Sequence, residues 1–418
     1  MTDCLEVRDD NQMYTFIEGG VCAAKGFKAS GIHVGVKTHN KDKKDLALIV
    51  ADCDCSVAVV YTKNIVKAAP LLVTKDNLKN GRARVVFANS GNANACAPFG
   101  EENAKRMCQT IALELGLNEK DVIVASTGVI GQKLPVEVIE NGVAELVSEL
   151  SYDGSKDAAA AIMTTDLTMK EFAVELAIGG NPVRIGGIAK GSGMIHPNMG
   201  TMLAFLTTDC AISSDMIKKA LVDATNVSFN RVSVDGDTST NDMLSLLASG
   251  LAGNDEITEP NADYEKFSQA LNILCIELAK AIAADGEGAT HLITCRVGGA
   301  KNEAEAETLS KSVISSTLTK AAIFGADANW GRVLCAMGYS GIEFDPENVN
   351  VAFESSAGRI AVCENGRGLQ FDETLAKKIL TERDIIIDIT MNAGTAECIC
   401  WGCDITYDYV RINGDYRS

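Results

Sequence analysis

The 418-residue chain reads as an α/β (α+β) protein whose sheets are covered by helices. Two observations predict this class. Short apolar runs of strand character alternate with longer segments in which apolar residues recur every three to four positions. No repeat period, low-complexity tract or long Pro/Ser-rich linker interrupts that alternation.

Arg84-Val-Val-Phe-Ala88 predicts a strand, and Asn103 to Leu115 a helix with Met107, Ile111 and Leu115 on one face before Gly116. Asp121-Val-Ile-Val-Ala125 is a second strand. Pro135 to Leu150 is a helix opened by proline, with Ile139, Val143, Leu146 and Leu150 in register. The apolar segment Thr201-Met-Leu-Ala-Phe-Leu206 starts a buried strand. A helix from about Asp215 to Ala224 follows, and then a longer one from Asp263 to Ala284, striped by Phe267, Leu271, Leu274, Leu278 and Ile282. That helix stops at Asp285-Gly286. Beyond it come a strand near Thr290 to Val297, a helix from Glu303 to Lys320, and strands around Val349, Ile360, Ile386 and Cys398. The end of the long helix places a boundary near residue 290, giving a core domain 1–290 and a smaller α/β domain 291–418.

Composition excludes several classes. A hydrophobic fraction of 46% and a charged fraction of 22% are those of a soluble globular protein long enough for two cores. A net charge of -18 argues against a nucleic-acid surface, which needs clustered Lys and Arg. The first residues, MTDCLEVRDDNQ, carry acids and have neither signal-peptide nor transit-peptide character. No stretch approaches the roughly 18 apolar residues of a membrane span. A cytoplasmic location is the expectation. The 14 cysteines are dispersed, and most sit in apolar surroundings as small core residues. Cys400-Trp-Gly-Cys403 has redox or zinc spacing, but no second C-x-x-C accompanies it and the four histidines show no ligand spacing. No metal site is expected.

Chemistry gathers in five places. Lys190 to Phe205, KGSGMIHPNMGTMLAF, is kept irregular by Gly191, Gly193, Gly200 and Pro197. A hydroxyl at a strained Gly200-Thr201 junction can attack the preceding carbonyl, giving an ester that water opens. The new chain would begin at Thr201, whose α-amine then serves its own hydroxyl as general base. An ordinary glycine-rich loop leading into a strand has the same pattern. Ser126-Thr-Gly-Val-Ile-Gly131 follows the strand ending at Ala125, where a glycine turn can offer N–H groups to an oxyanion; a plain strand-to-helix turn is the alternative. Lys190 can steady negative charge or hold a carboxylate, or be a solvated loop cation. Glu287, between Gly286 and Gly288, suits a ligand ammonium, although helix termination also explains those glycines. The terminal Tyr407-Asp-Tyr-Val-Arg-Ile-Asn-Gly-Asp-Tyr-Arg-Ser418 is either frayed or docked.

These segments together resemble the ornithine acetyltransferase (glutamate N-acetyltransferase) family of arginine biosynthesis. The resemblance runs through GNANACA (91–97), STGVIG (126–131), MTTD (163–166), KGSGMIHPNMGTML (190–203), DGEGATH (285–291), FGADANWGR (324–332) and WGCDITYDYVRINGDYRS (401–418). It implies a layered sandwich of the self-cleaved threonine-nucleophile type with a smaller carboxyl-terminal domain. It also implies cleavage at Gly200-Thr201 into an α chain of 1–200 and a β chain of 201–418, assembled as an α2β2 heterotetramer. Thr201 corresponds to the nucleophile, and Thr127 and Gly128 to the oxyanion hole. Thr164, Lys190, Thr201, Glu287, Asn413 and Ser418 match substrate-binding positions. Two departures stand out: Gly200 replaces the family's usual alanine, and Ser418 its usual terminal threonine.

The expected reaction moves acetyl from N2-acetyl-L-ornithine to L-glutamate through acetyl-Thr201, by ping-pong kinetics. Lys190 would also act on the ornithine carboxylate. No cofactor is expected, since the donor is already an amide; acetyl-CoA enters only if the enzyme also starts the cycle. An amidohydrolase or aminopeptidase of similar architecture would use the same nucleophile with water as acceptor. An uncut binding protein would use the loop as scaffold alone.

Overall fold

The structure, a computed structural model, describes residues 14–38, 42–196 and 202–415. Its first sheet takes strands from the first 250 residues. These are β1 (Tyr14–Ile17), β2 (Phe27–Ile32), β3 (Leu46–Tyr61), β4 (Arg82–Asn92), β5 (Val122–Val129), β6 (Lys170–Ile178), β7 (Asn181–Lys190) and β8 (Leu203–Thr208). The two-residue β9 (Val232–Ser233) leaves for the second sheet, and β10 (Met243–Ala248) completes the first. The nine strands run β1-β6-β7-β8-β10-β3-β4-β5, with β2 paired to β3.

The long strand β3 makes this one sheet into two layers. Its start pairs with β2 and β4, its end with β10, and the β4 register shifts between Val50 and Cys55. Ile49, Ala125, Ile188, Phe205 and Leu247 then meet in a core between the two halves. Because side chains alternate along a strand, Leu203 and Phe205 enter that core while Ala204 and Leu206 face the other way. There they meet α5 (Ser214–Val227) and α6 (Ala262–Ala284). The far half is covered by α2 (Gly100–Leu115) and α3 (Val136–Ser148), which bury Met107, Ile111, Ile139 and Val143 against Leu48, Phe87 and Val124. The result is a helix–sheet–sheet–helix sandwich, the layered α/β class the sequence predicts. The short helices α1 (Ala69–Asn77) and α4 (Ser155–Ile162) close its ends. By length and mean hydropathy alone the 23-residue α6 would pass as a membrane span; here its stripe Phe267, Leu271, Leu274, Leu278 and Ile282 is buried core.

The second sheet holds β11 (Leu292–Ala300), β12 (Asn350–Ser355), β13 (Gly358–Glu364), β14 (Arg367–Gly368), β15 (Asp384–Thr390) and β16 (Ala396–Cys403). Its order is β14-β13-β12-β15-β11-β16-β9. One face packs on α7 (Glu303–Ser315), α8 (Thr317–Phe324), α9 (Trp330–Gly338) and α10 (Glu373–Leu380). The other face carries an ion ladder in which Asp388 meets Arg296 at 2.7 Å and Arg359 at 2.6 Å. The last helix, α11 (Tyr407–Gly414), returns to the first sheet's end of the molecule.

The structure differs from the sequence expectation at identifiable points. The helix expected over 303–320 is two helices, because the Ser316 hydroxyl accepts from the Thr319 amide at 3.3 Å and caps a new start. The strand expected to stop at Ala125 continues to Val129. Sequence pattern pointed to no element before Arg84, where β1 to β3 and α1 lie; Asp52-Cys-Asp54 interrupts the apolar run of β3 at its bend. Cys400 and Cys403 lie in one strand but point into different cores, so the C-x-x-C spacing does not form a pair.

Candidate active site

A cavity of about 260 Å3 opens where the ends of β5 and β7 meet the turn after α6. Thr127, Gly128, Thr164, Lys190, Glu287 and Asn413 all line it. They come from five separate segments of the chain. An adjoining smaller cavity is lined by Thr127, Lys190 and Asp242 together with Met202 and Leu203, the first described residues after position 201.

Thr127 and Gly128 sit in a bulge rather than in a turn beyond the strand. Asn92 of β4 pairs with both Thr127 and Val129, so the ladder is irregular around Gly128. Gly128 has φ +131, and a Cβ there would lie 2.3 Å from the Gly91 carbonyl carbon, so the position requires glycine. Buried Asn241 holds this bulge, donating to the carbonyls of Ser126 at 2.7 Å and Ala93 at 2.6 Å.

Lys190 is the last residue of β7, so it is not the solvated loop cation of the alternative reading. Its Nζ donates to Thr127 Oγ1 at 3.0 Å. Since that oxygen accepts from Lys190, the Thr127 hydroxyl proton is left for another acceptor. Burial lowers the Lys190 pKa, opposed by the carboxylates of Asp166, Asp242 and Glu287. Behind it lies a buried ion cluster. Lys170, 1% exposed, donates to Asp166 at 2.8 Å and to Asp285 at 2.6 Å. Burial alone would raise the Asp166 pKa, but Lys170 and Lys190 outweigh it and hold this carboxyl well below its usual range. Asp166 in turn accepts from the amides of Thr164 at 3.0 Å and Gly191 at 2.7 Å. Asp285 accepts from Leu167 and Thr168. One ammonium thus ties the Thr164 turn, the segment after Lys190 and the end of α6 together.

Glu287 is buried, and its backbone amide donates to Ser192 O at 3.0 Å. Its carboxylate occupies the space a side chain at Gly193 would take: a Cβ there would stand 2.3 Å from Oε2. Asn413 on α11 donates to Glu287 Oε2 at 2.7 Å. The described part of the tail, up to Asp415, is docked, with the Thr406 hydroxyl donating to Gly288 O at 2.7 Å and the Tyr407 ring set edge-on to Phe324. A hydroxyl-rich cavity with one carboxylate and one lysine suits a small zwitterion carrying both ammonium and carboxylate.

The sequence model of the ArgJ family matches residues 28–418. The chain belongs to the ArgJ family. It is 48% identical over 404 residues to the "Arginine biosynthesis bifunctional protein ArgJ" of Symbiobacterium thermophilum, covering 96% of this chain and 100% of that protein. It is 46% identical over 403 residues to the protein of the same name from Caldanaerobacter subterraneus subsp. tengcongensis, covering 96% and 99%. A crystal structure of the ArgJ protein from Bacillus halodurans, 46% identical, aligns with a TM-score of 0.48 over 50% of this chain and 97% of that one.

For this ArgJ family chain, then, six of the residues singled out from sequence share one cavity. The others, Gly200, Thr201 and Ser418, lie outside the described residues. Sequence reasoning missed the segment 235–242. Asp235 accepts from the amides of Met194 at 2.6 Å and Ile195 at 2.9 Å, shaping the glycine-rich loop. Ser239, Thr240 and Asn241 line the main cavity. The available signal was VDGDTSTND, a polar run entering an apolar strand. A second cavity of about 380 Å3, between β3, α1 and α5, is lined mostly by apolar side chains and holds none of the expected residues. Among the described residues no group of His, Cys, Asp or Glu is arranged to hold a metal ion.

Proposed function

We propose that this chain is an acetyltransferase of arginine biosynthesis that moves acetyl from N2-acetyl-L-ornithine to L-glutamate through an ester on Thr201. Membership of the ArgJ family supports the pathway, and the relatives' shared name describes a bifunctional enzyme. The observation that carries the reading is the convergence of Thr127, Gly128, Lys190, Glu287 and Asn413 on one cavity beside Met202.

Self-cleavage at Gly200-Thr201 yields the α chain 1–200 and β chain 201–418 and frees the α-amine of Thr201. That amine takes the hydroxyl proton as the oxygen attacks the acetyl carbonyl. The Thr127 hydroxyl, aimed by Lys190, and the backbone N–H of Gly128 meet the developing oxyanion, and each such donor contributes up to about 3 kcal/mol. Glu287, steadied by Asn413, pairs with the side-chain ammonium of ornithine, and Lys190 with the α-carboxylate. Ornithine leaves, and the glutamate amine takes the acetyl group from the ester. The cycle as written needs no cofactor, because the acetyl group arrives on an amide; in the second activity acetyl-CoA loads the same threonine. Two copies of each fragment form an α2β2 assembly in the cytoplasm.

Incubating the enzyme with acetylornithine, with and without glutamate, tests the proposal. Transfer requires ornithine release to depend on glutamate and acetylglutamate to appear in equal amount. Ornithine released at the same rate without glutamate would identify an amidohydrolase instead.

A further inference from the structure

The second cavity, of about 380 Å3 between β3, α1 and α5, takes no part in the mechanism above. Ala58, Val60, Leu71 and Leu221 line it with buried apolar surface, and Leu72, which also lines it, stays 42% exposed. Its only charged side chains are Lys67, Lys75 and Lys218, one from the loop after β3 and one from each helix. Asp76 on α1 meets Lys79 and Lys120, and Asp223 on α5 meets Lys219, so these acids are engaged elsewhere. Lys67 donates to carbonyls, Thr62 O at 3.0 Å and Asn64 O at 3.2 Å. Among the described residues none of the three lysines has a carboxylate partner, in a chain whose net charge is -18. An apolar hollow bearing uncompensated cations suits a ligand with an apolar body and anionic groups, phosphates above all.

The hollow also adjoins the active cavity. The Thr62 hydroxyl donates to Ser239 O at 2.9 Å and its amide to Asp242 O at 3.0 Å, while the Ala68 amide donates to Thr240 O at 3.0 Å. Thr62 lines the second cavity, and Ser239, Thr240 and Asn241 line the first. Two hydrogen-bonded stretches of backbone, about 5 Å apart, thus link the two. At about 260 Å3 the active cavity falls below the roughly 300–1,000 Å3 of pockets for drug-sized ligands. It has room for an acetylated amino acid and not for a whole coenzyme.

We propose that the second cavity holds the nucleotide end of acetyl-CoA, with phosphates on Lys75 and Lys218 and the adenosine against Leu71 and Leu221, while the pantetheine arm carries the thioester across to the active cavity. This rests on the reading of acetyl-CoA as a second donor, and it gives that donor a binding site that acetylornithine does not use.

The test runs the purified enzyme in two separate reactions, with acetyl-CoA or acetylornithine as donor and glutamate as acceptor. Lys75→Glu/Lys218→Glu reverses two exposed charges and should raise KM for acetyl-CoA about tenfold or more, as expected for two surface ion pairs turned repulsive. KM for acetylornithine should stay within about twofold of the parent, an ordinary surface effect, which also shows that the variant is folded. In the parent, KM for acetyl-CoA should climb with salt, and adenosine 3′,5′-bisphosphate should compete with acetyl-CoA while leaving the acetylornithine reaction unchanged. An unaltered KM for acetyl-CoA in the double variant, or equal damage to both reactions, overturns the proposal. So does a double variant whose assembly dissociates in sedimentation, which would make this face a contact between copies of the chain. A parent that makes acetylglutamate from acetylornithine and none from acetyl-CoA instead defeats the second-donor reading, and the proposal falls with it.

Discussion

Lys170→Met removes the one ammonium shared by Asp166 and Asp285 while keeping most of the side-chain volume. Lys170 is 1% exposed and contacts both carboxylates, at 2.8 and 2.6 Å, so solvent cannot replace it. Removing one partner of such a buried pair typically costs about 3–5 kcal/mol, mostly the penalty of the charge left behind. Unfolding entropy near 2.1 cal/mol/K per residue gives about 0.9 kcal/mol/K for a chain of this length, so the melting temperature should fall by about 3–6 °C. Kinetics should suffer as well. Asp166 fixes the amides of Thr164 and Gly191, and Asp285 ends the helix that delivers Glu287. Calorimetry on the purified variant, with KM for acetylornithine, reads both effects. Adding Asp166→Asn should cost less than the two single changes summed, because it removes one of the stranded charges. A melting temperature within about 1 °C of the parent, as for an ordinary surface change, with unchanged KM, would refute the cluster as the organiser of the site.

Three further outcomes are expected. Thr127→Ala should lower kcat by about 100-fold or more with little change in melting temperature, the signature of a lost oxyanion donor; near-parental single-turnover acetylation would remove Thr127 from that role. Asp166 titrates lower in the folded than in the unfolded chain, so its stabilisation is complete above about pH 4 and is lost as pH falls through the folded value. Asp166→Asn should accordingly flatten the acid limb of the melting-temperature profile, and an equally steep limb would contradict the sign. Deleting the chain from Asn413 onward should raise KM for acetylornithine, since Asn413 holds Glu287; full activity would take Asn413 and Ser418 out of the site.

Much of the site was legible because its residues sit in short segments with a chemical signature. A strand end rich in Ser, Thr and Gly and a glutamate between glycines stood out in the sequence, each with an ordinary structural alternative, while Thr164 and Asn413 were reached only through the family resemblance. The large helices were legible for a similar reason, with α6 ending one residue before Asp285 as its stripe predicts. What stayed hidden depends on distant partners. Lys170 reads as an ordinary strand residue until Asp285, far along the chain, is brought against it. Asn241 and Asp242 matter only because β10 lies beside β8. The course of β3 was obscured by Asp52 and Asp54, polar residues at a bend that the apolar pattern cannot anticipate. The break at Ser316 was missed because helical periodicity continues through it, while the capping hydroxyl restarts the hydrogen-bond ladder.

In the proposed reaction Thr201, freed as a chain terminus, carries the acetyl group. Intact-mass measurement after exposure to acetylornithine alone tests it most directly. Two polypeptides are expected, with the 201–418 fragment heavier by one acetyl group and returning to its original mass when glutamate is added. A single uncut chain, or a fragment that never gains the acetyl group while transfer proceeds, would contradict it.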